Sequence, residues 1–227
     1  MEASPLVGFF DSGIGGMCIL DAFRRLCPGE RTVYVADTEY CPYGNRPVEE
    51  IVARSRAISA DLIGQGCEVV VVACNTATAA AIDVLRREWP GVPFVGMEPA
   101  IKPAALGSKT GVVGVLATRG TFNGRLYRKT YALVSGTVKI IETIADELVL
   151  LVEHGDTGSP EAEAAVRSRI EPLIESGADR IVLGCTHFPH LKGLMEKVAA
   201  GRAEIVDPSD AVARRIRTVL SEVRACA

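Results

Sequence analysis

Apolar residues in this chain fall into short β-branched runs, separated by longer stretches in which they recur every three or four positions. Val7-Gly8-Phe9-Phe10 is the first run. It breaks at Asp11-Ser12-Gly13-Ile14-Gly15-Gly16, and Met17 to Leu26 then takes helical spacing, so the segment reads as strand, tight loop, helix. Thr32 to Ala36 predicts a second strand, Asp37 to Pro47 a loop with two prolines and a glycine, and Val48 to Gln65 an amphipathic helix. The third strand is Val69 to Ala73. Asn75 is a candidate cap for the Ala-rich helix that follows, which should stop before Pro90 because proline disfavours helix in the residue ahead of it. Val92 to Gly96 supplies a fourth strand.

The cycle then restarts. Gly111 to Leu116 predicts a strand that ends in Ala117-Thr118-Arg119-Gly120-Thr121 and enters a helix, much as the Asp11 loop does. Val138 to Ile141 stands as its second strand, and Glu204 to Pro208 resembles the strand and exit at Phe94 to Pro99. Gly8 and Gly114 lie 106 residues apart, while two apolar runs ending in Cys74-Asn75-Thr76 and Cys185-Thr186-His187 lie 111 apart. The second half therefore reads as a degenerate copy of the first. Alternating strands and helices with apolar strands predict parallel sheets covered on both faces. The expected fold is α/β: two similar three-layer α/β/α domains with mainly parallel sheets, related by a pseudo-two-fold axis. Their ligand loops lie beyond the carboxyl ends of the strands, with the active site in the cleft between them. Residues 1–95 with 208–227 should form the first domain, the amphipathic helix Ala211 to Val223 returning to it, and 96–207 the second.

A length of 227 residues leaves room for two cores of roughly 100 residues each. With 48% hydrophobic and 23% charged residues the chain should fold throughout. The net charge of −3, with basic residues scattered, argues against a nucleic-acid or membrane partner, because phosphate binding needs clustered Lys and Arg. No apolar stretch approaches the roughly 20 residues that span a bilayer, and Met-Glu-Ala-Ser-Pro lacks a signal-peptide layout, so a cytoplasmic location is expected. Seven cysteines without regular spacing read as reduced thiols. Cys18, Cys27, Cys41, Cys67 and Cys226 fit ordinary packing roles.

Cys74 and Cys185 are different, since each ends a buried run just ahead of a predicted helix, where a thiolate is favoured. His187 can hold or relay the Cys185 proton, and Asp11, at the end of the neighbouring strand, can orient or deprotonate Cys74. One thiolate removing a proton from a carbon while the opposite thiol delivers one to the other face inverts that centre, without a cofactor. Ser12, Asn75, Thr76, Thr118, Thr121 and Thr186 suit a small zwitterion, with Asp11 or Glu153 near its ammonium. Any one hydroxyl here can equally be a helix cap. A metal site at Cys185, His187 and His190 is disfavoured, for no paired CxxC or HExxH is present. The Asp11 to Gly16 loop fails the dinucleotide pattern. Gly107-Ser108-Lys109-Thr110 looks like a P-loop ending but precedes a strand and has no cradle before it.

At these residues the chain resembles a glutamate racemase of the aspartate/glutamate racemase superfamily. The matching segments run from end to end: FDSGIGG at 10 to 16, DTEYCPYG at 37 to 44, ACNTAT at 73 to 78, GMEPAIKPA at 96 to 104, ATRGT at 117 to 121, LVEHG at 151 to 155, GCTHFPHL at 184 to 191 and VDPSDAVA at 206 to 213. The resemblance implies that Cys74 and Cys185 exchange the α proton, assisted by Asp11 and His187. It implies substrate contacts at Asp11, Ser12, Pro42, Tyr43, Gly44, Asn75, Thr76, Thr121, Thr186 and His187, with Glu153 close by. It further implies glutamate as the small-molecule substrate, D-glutamate supply for peptidoglycan, no pyridoxal phosphate, metal or nucleotide, and a homodimer in many members. Racemisation of aspartate or another small acidic amino acid, and a non-catalytic amino-acid-binding paralogue, are the competing readings. Ala145-Asp146-Glu147-Leu148 departs from the family pattern by lacking a Cys-Pro, and Glu98 and Arg119 add charge near strand ends.

Overall fold

The computed structural model describes residues 6–226, the side chain of Cys226 excepted. The packing role read for Cys226, and residues 1–5 and 227 of the expected domain ranges, lie outside the described residues. The chain divides into two compact units. One runs to Met97 and takes in the segment from Ser209, and the other is Glu98–Pro208.

The first unit contains β1 (Leu6–Asp11), α1 (Met17–Leu26), β2 (Arg31–Ala36), α2 (Val48–Gly64), β3 (Cys67–Val72), α3 (Asn75–Glu88) and β4 (Phe94–Gly96). In the second are α4 (Ile101–Gly107), β5 (Val112–Ala117), α5 (Arg119–Asn123), α6 (Arg125–Val134), β6 (Lys139–Ile144), α7 (Glu147–Glu153), α8 (Pro160–Glu175), β7 (Arg180–Gly184), α9 (Lys192–Ala199) and β8 (Glu204–Val206). The last helix, α10 (Ser209–Cys226), packs on α1 in the first unit.

Both sheets are parallel and have the same order, β2-β1-β3-β4 and β6-β5-β7-β8. Period-two alternation decides what each strand face buries. In the first unit Val7 and Phe9 join Val69, Val71 and Val95 in one buried cluster, covered by Ile19 and Phe23 of α1 and Ile216 and Leu220 of α10. Gly8 points the other way, where a Cβ would stand 2.9 Å from Cys67 Sγ and 3.1 Å from Leu62, so α2 sits close on β1. In the second unit Val113, Val115 and Val182 bury against Ile101 and Ala104 of α4 and Tyr127 and Val134 of α6. Gly114 faces the opposite side, and a Cβ there would meet Leu173 of α8 at 2.9 Å. The two glycines thus hold equivalent places, mid-strand under a helix leucine, in the two units.

Several strands are longer than their apolar runs. β3 begins at Cys67 rather than Val69, and β6 runs from Lys139 to Ile144 rather than ending at Ile141. β6 is an edge strand, so Lys139 and Glu142 keep the ladder without being buried on both faces. The expected loop after β2 holds two 3-10 turns, Thr38–Tyr40 and Tyr43–Asn45. At the P-loop lookalike the amides of Lys109 (2.5 Å) and Thr110 (3.2 Å) and the Ser108 hydroxyl (2.6 Å) donate to the Asp179 carboxylate, so the chain's own anion occupies them. No helix among the described residues is long and apolar enough to cross a membrane.

Candidate active site

In the first unit the carboxyl ends of β1, β2 and β3 carry Asp11, the Asp37 to Gly44 loop and Cys74. Asp11 is buried, and its Oδ2 accepts from the amides of Gly13 (3.3 Å) and Gly16 (3.0 Å), which folds the Ser12 loop around the carboxylate. Gly16 is required there: a Cβ would stand 2.8 Å from the Ala73 carbonyl and 2.9 Å from the Asp11 Cβ. The tight loop therefore brings Asp11 next to the exit of β3.

Cys74, not Asn75, caps α3. Its backbone is extended (φ −142°, ψ 122°) and its sulfur accepts the Ala77 amide at 3.4 Å, whereas Asn75 is already the first helical residue. The helix N-terminus is thus aimed at the thiol, a setting that favours the thiolate. Ser12 Oγ lies 4.0 Å from the same sulfur. Freed from capping, the Asn75 side chain is buried, and neither its Oδ1 nor its Nδ2 has a hydrogen-bond partner among the described residues. A buried donor and acceptor left open beside a thiol are groups that a bound molecule can satisfy. Thr76 and Ser12 are buried alongside. Thr78 pins the neighbouring exit, accepting from the Met97 amide at 2.9 Å and donating to the Val72 carbonyl at 3.2 Å.

Pro42, Tyr43 and Gly44 follow β2. Pro42 and Gly44 are half-buried, and Tyr43 is buried with its hydroxyl donating to Asp37 Oδ2 at 2.5 Å. Burial first, and then the bond to Asp37, push the Tyr43 phenol well above its ordinary range. Asp37 opens the matched segment DTEYCPYG but carries no assigned role in the sequence, and its partner Arg54 is not marked there at all. Arg54 stands 17 positions from Asp37, one turn among many on a polar helix face, and nothing local marks it.

In the second unit the exit of β5 is a capped turn. Thr118 Oγ1 accepts the Thr121 amide at 3.4 Å and lies 3.0 Å from Thr121 Oγ1, both side chains being buried. The exit of β7 carries Cys185, Thr186 and His187, all buried. Cys185 does not precede an α-helix: a 3-10 turn, Phe188–Leu191, comes first, and α9 starts only at Lys192. What addresses this thiol is an imidazole. Cys185 Sγ is 3.7 Å from His187 Nδ1, and His187 Nε2 is 2.5 Å from Oε1 of Glu153, the last residue of α7. With Glu153 ionised, the ring proton belongs on Nε2 and Nδ1 is left as an acceptor toward the thiol. Glu153, read from the sequence as a partner for an ammonium group, is in the structure tied to His187. His190 is half-buried in the 3-10 turn, its amide donating to the His187 carbonyl at 3.1 Å.

The residues that depart from the family pattern are engaged elsewhere or exposed. Asp146 Oδ1 accepts the Arg119 amide at 3.2 Å, and Glu147 pairs with Arg169 at 2.5 Å. Glu98 is exposed.

A family model described as Asp/Glu/Hydantoin racemase matches residues 18–216. The glutamate racemase of Roseiflexus sp. (strain RS-1) is 47% identical over 221 residues, 97% of this chain and 81% of that protein. Among solved structures, glutamate racemase of Escherichia coli in complex with L-glutamate and the activator UDP-MurNAc-ala superposes with TM-score 0.88 at 35% identity, covering 96% of this chain and 83% of that one. Glutamate racemase of Francisella tularensis in complex with D-glutamate superposes with TM-score 0.83 at 25% identity, covering 99% and 83%.

Proposed function

The chain belongs to the Asp/Glu/hydantoin racemase family, among its glutamate racemases, and we propose that it inverts the α-carbon of glutamate with two thiols, Cys74 and Cys185. The observation that carries this reading is the equivalence of the two cysteines. Each stands just past the third strand of its unit, at the exit of β3 and of β7, in sheets of identical order.

The two are primed differently. Cys74 reaches its thiolate through the α3 N-terminus and takes the α proton of one enantiomer. Cys185 gives a proton to the other face, so one turnover leaves Cys74 as thiol and Cys185 as thiolate. The starting state returns when Cys74 releases its proton to water and Cys185 regains one from water by way of His187, which Glu153 holds in place. In the reverse direction the roles exchange. Asp11 organises the loop beside Cys74. Ser12, Asn75, Thr76, Thr121 and Thr186 provide the hydroxyl and amide groups that hold the substrate carboxylate and ammonium, Asn75 with both polar atoms open. Pro42, Tyr43 and Gly44 form the wall. The chemistry draws on no cofactor. Its expected setting is the cytoplasm, its product the D-glutamate of peptidoglycan, and its expected assembly a homodimer.

Circular dichroism of L-glutamate, D-glutamate and L-aspartate incubated with the purified protein, without added cofactor, tests the reading. Loss of glutamate ellipticity from either enantiomer supports it. Turnover of aspartate alone, or glutamate binding without inversion, contradicts it.

A further inference from the structure

We propose that Arg54 is a positioning residue for the Tyr43–Gly44 loop, acting through Asp37: the α2 guanidinium holds the Asp37 carboxylate, which holds the Tyr43 hydroxyl. The proposal rests on the reading of Tyr43 and Gly44 as substrate contacts.

The geometry is a relay of fixed groups. Arg54 makes a forked pair with Asp37, Nε to Oδ2 at 3.0 Å and Nη2 to Oδ1 at 2.6 Å, the planar match that arginine offers a carboxylate. Asp37 Oδ2 also takes the Tyr43 hydroxyl at 2.5 Å, and the Asp37 amide donates to the Asp11 carbonyl at 3.0 Å. The buried carboxylate of Asp37 therefore joins helix α2 to the loop, while its backbone amide fixes the residue to the end of the β1–β2 ladder. The same guanidinium lies 4.1 Å from the centre of the Tyr40 ring, with Arg46 at 5.0 Å from that ring. Arg46 in turn bonds the Tyr40 carbonyl and, at 2.7 Å, Glu50, one turn before Arg54 on α2. The loop is built of two 3-10 turns, so these bonds to a 17-residue helix supply its stiffness.

Burial and the bond to Asp37 keep the Tyr43 phenol protonated. Its part is that of a neutral wall whose place depends on Asp37. Without the fork, Asp37 is free to turn, Tyr43 loses its fixed acceptor, and the loop no longer meets substrate at one distance. Misplacement of about 1 Å is enough to cost on the order of a hundredfold in rate.

The test measures kcat and KM for both glutamate enantiomers in the full-length native protein and in R54M, R54K, Y43F, R54M/Y43F and R56M. Thermal unfolding is followed by circular dichroism alongside. Arg56 is on the same helix but pairs with Glu88, away from the loop, so R56M controls for loss of an ion pair on α2. The expected result is a rise in KM of roughly tenfold or more for R54M, with a smaller fall in kcat, partial recovery in R54K, and values within about twofold of native in R56M. In the Y43F background the R54M effect should shrink, because the relay is already cut. A folded R54M with native KM and kcat, or an equal loss with and without the Tyr43 hydroxyl, overturns the proposal alone. Should R54M not fold, R54K decides: a raised KM supports the relay, and native kinetics overturn it. A native protein that leaves glutamate unchanged overturns the functional reading and this proposal with it.

Discussion

The Glu153 carboxylate lies 2.5 Å from Nε2 of His187, and this contact turns the other ring nitrogen, Nδ1, into the atom that faces Cys185 at 3.7 Å. The link crosses 34 positions of sequence and joins the end of α7 to the exit of β7. It distinguishes the Cys185 side from the Cys74 side, where the Ala77 amide at the α3 N-terminus donates to the sulfur.

Glu153→Gln keeps a hydrogen-bonding side chain but removes the charge that sets the histidine tautomer. Turnover should fall by about 10- to 100-fold, the usual cost of losing a histidine's orienting partner. The deficit should be larger for the enantiomer whose proton Cys185 removes. Steady-state kinetics in both directions check this, and an equal loss for both enantiomers would count against a role through Cys185.

Asn75 offers a buried donor and acceptor with no partner among the described residues. Asn75→Leu removes both at similar volume, so the unliganded protein should be as stable as native or slightly more so. Losing those bonds to substrate should weaken binding by about 1–3 kcal/mol, some 5- to 150-fold in KM. A lower melting temperature with unchanged KM would mean that Asn75 serves the fold instead.

The two buried tyrosines contribute to a loss of stability at alkaline pH. Burial first, and then the bond to Glu142 at 2.7 Å, hold the Tyr127 phenol well above its usual value of about 10, as burial and Asp37 do for Tyr43. Above about pH 10 the unfolded chain loses protons that the folded one keeps, so stability falls as pH rises; below it these groups contribute no slope. Urea unfolding at about pH 8 and about pH 10.5 should show a smaller loss across that interval for Tyr127→Phe than for native protein. An identical loss would place the sensitivity elsewhere.

Much of the architecture was legible because it rests on local periodicity. The β-branched runs at Val69 to Val72 and Arg180 to Leu183 are central parallel strands, and Gly8 and Gly114, matched by spacing alone, prove to sit under Leu62 and Leu173 in equivalent places. Strand ends were less legible, since Lys139 and Glu142 are carried by ladder pairing and not by burial. At the candidate site, motif and strand exit mark Cys74, Cys185 and His187. Asn75 read as a cap because Asn favours that role, yet the extended backbone one residue earlier gives it to Cys74. Arg54 was invisible for a different reason: its meaning comes from a carboxylate 17 residues away that only the folded loop brings to it.

The central claim is that Cys74 and Cys185 each handle one face of the α-carbon, and α-proton exchange in deuterated water tests it most directly. Each enantiomer of glutamate is incubated with native protein, Cys74→Ser and Cys185→Ser, and both racemisation and deuterium uptake are measured. The account predicts that each single variant loses racemisation, with any surviving exchange confined to one enantiomer and the favoured enantiomer opposite in the two variants. Native-like racemisation by either variant would contradict it.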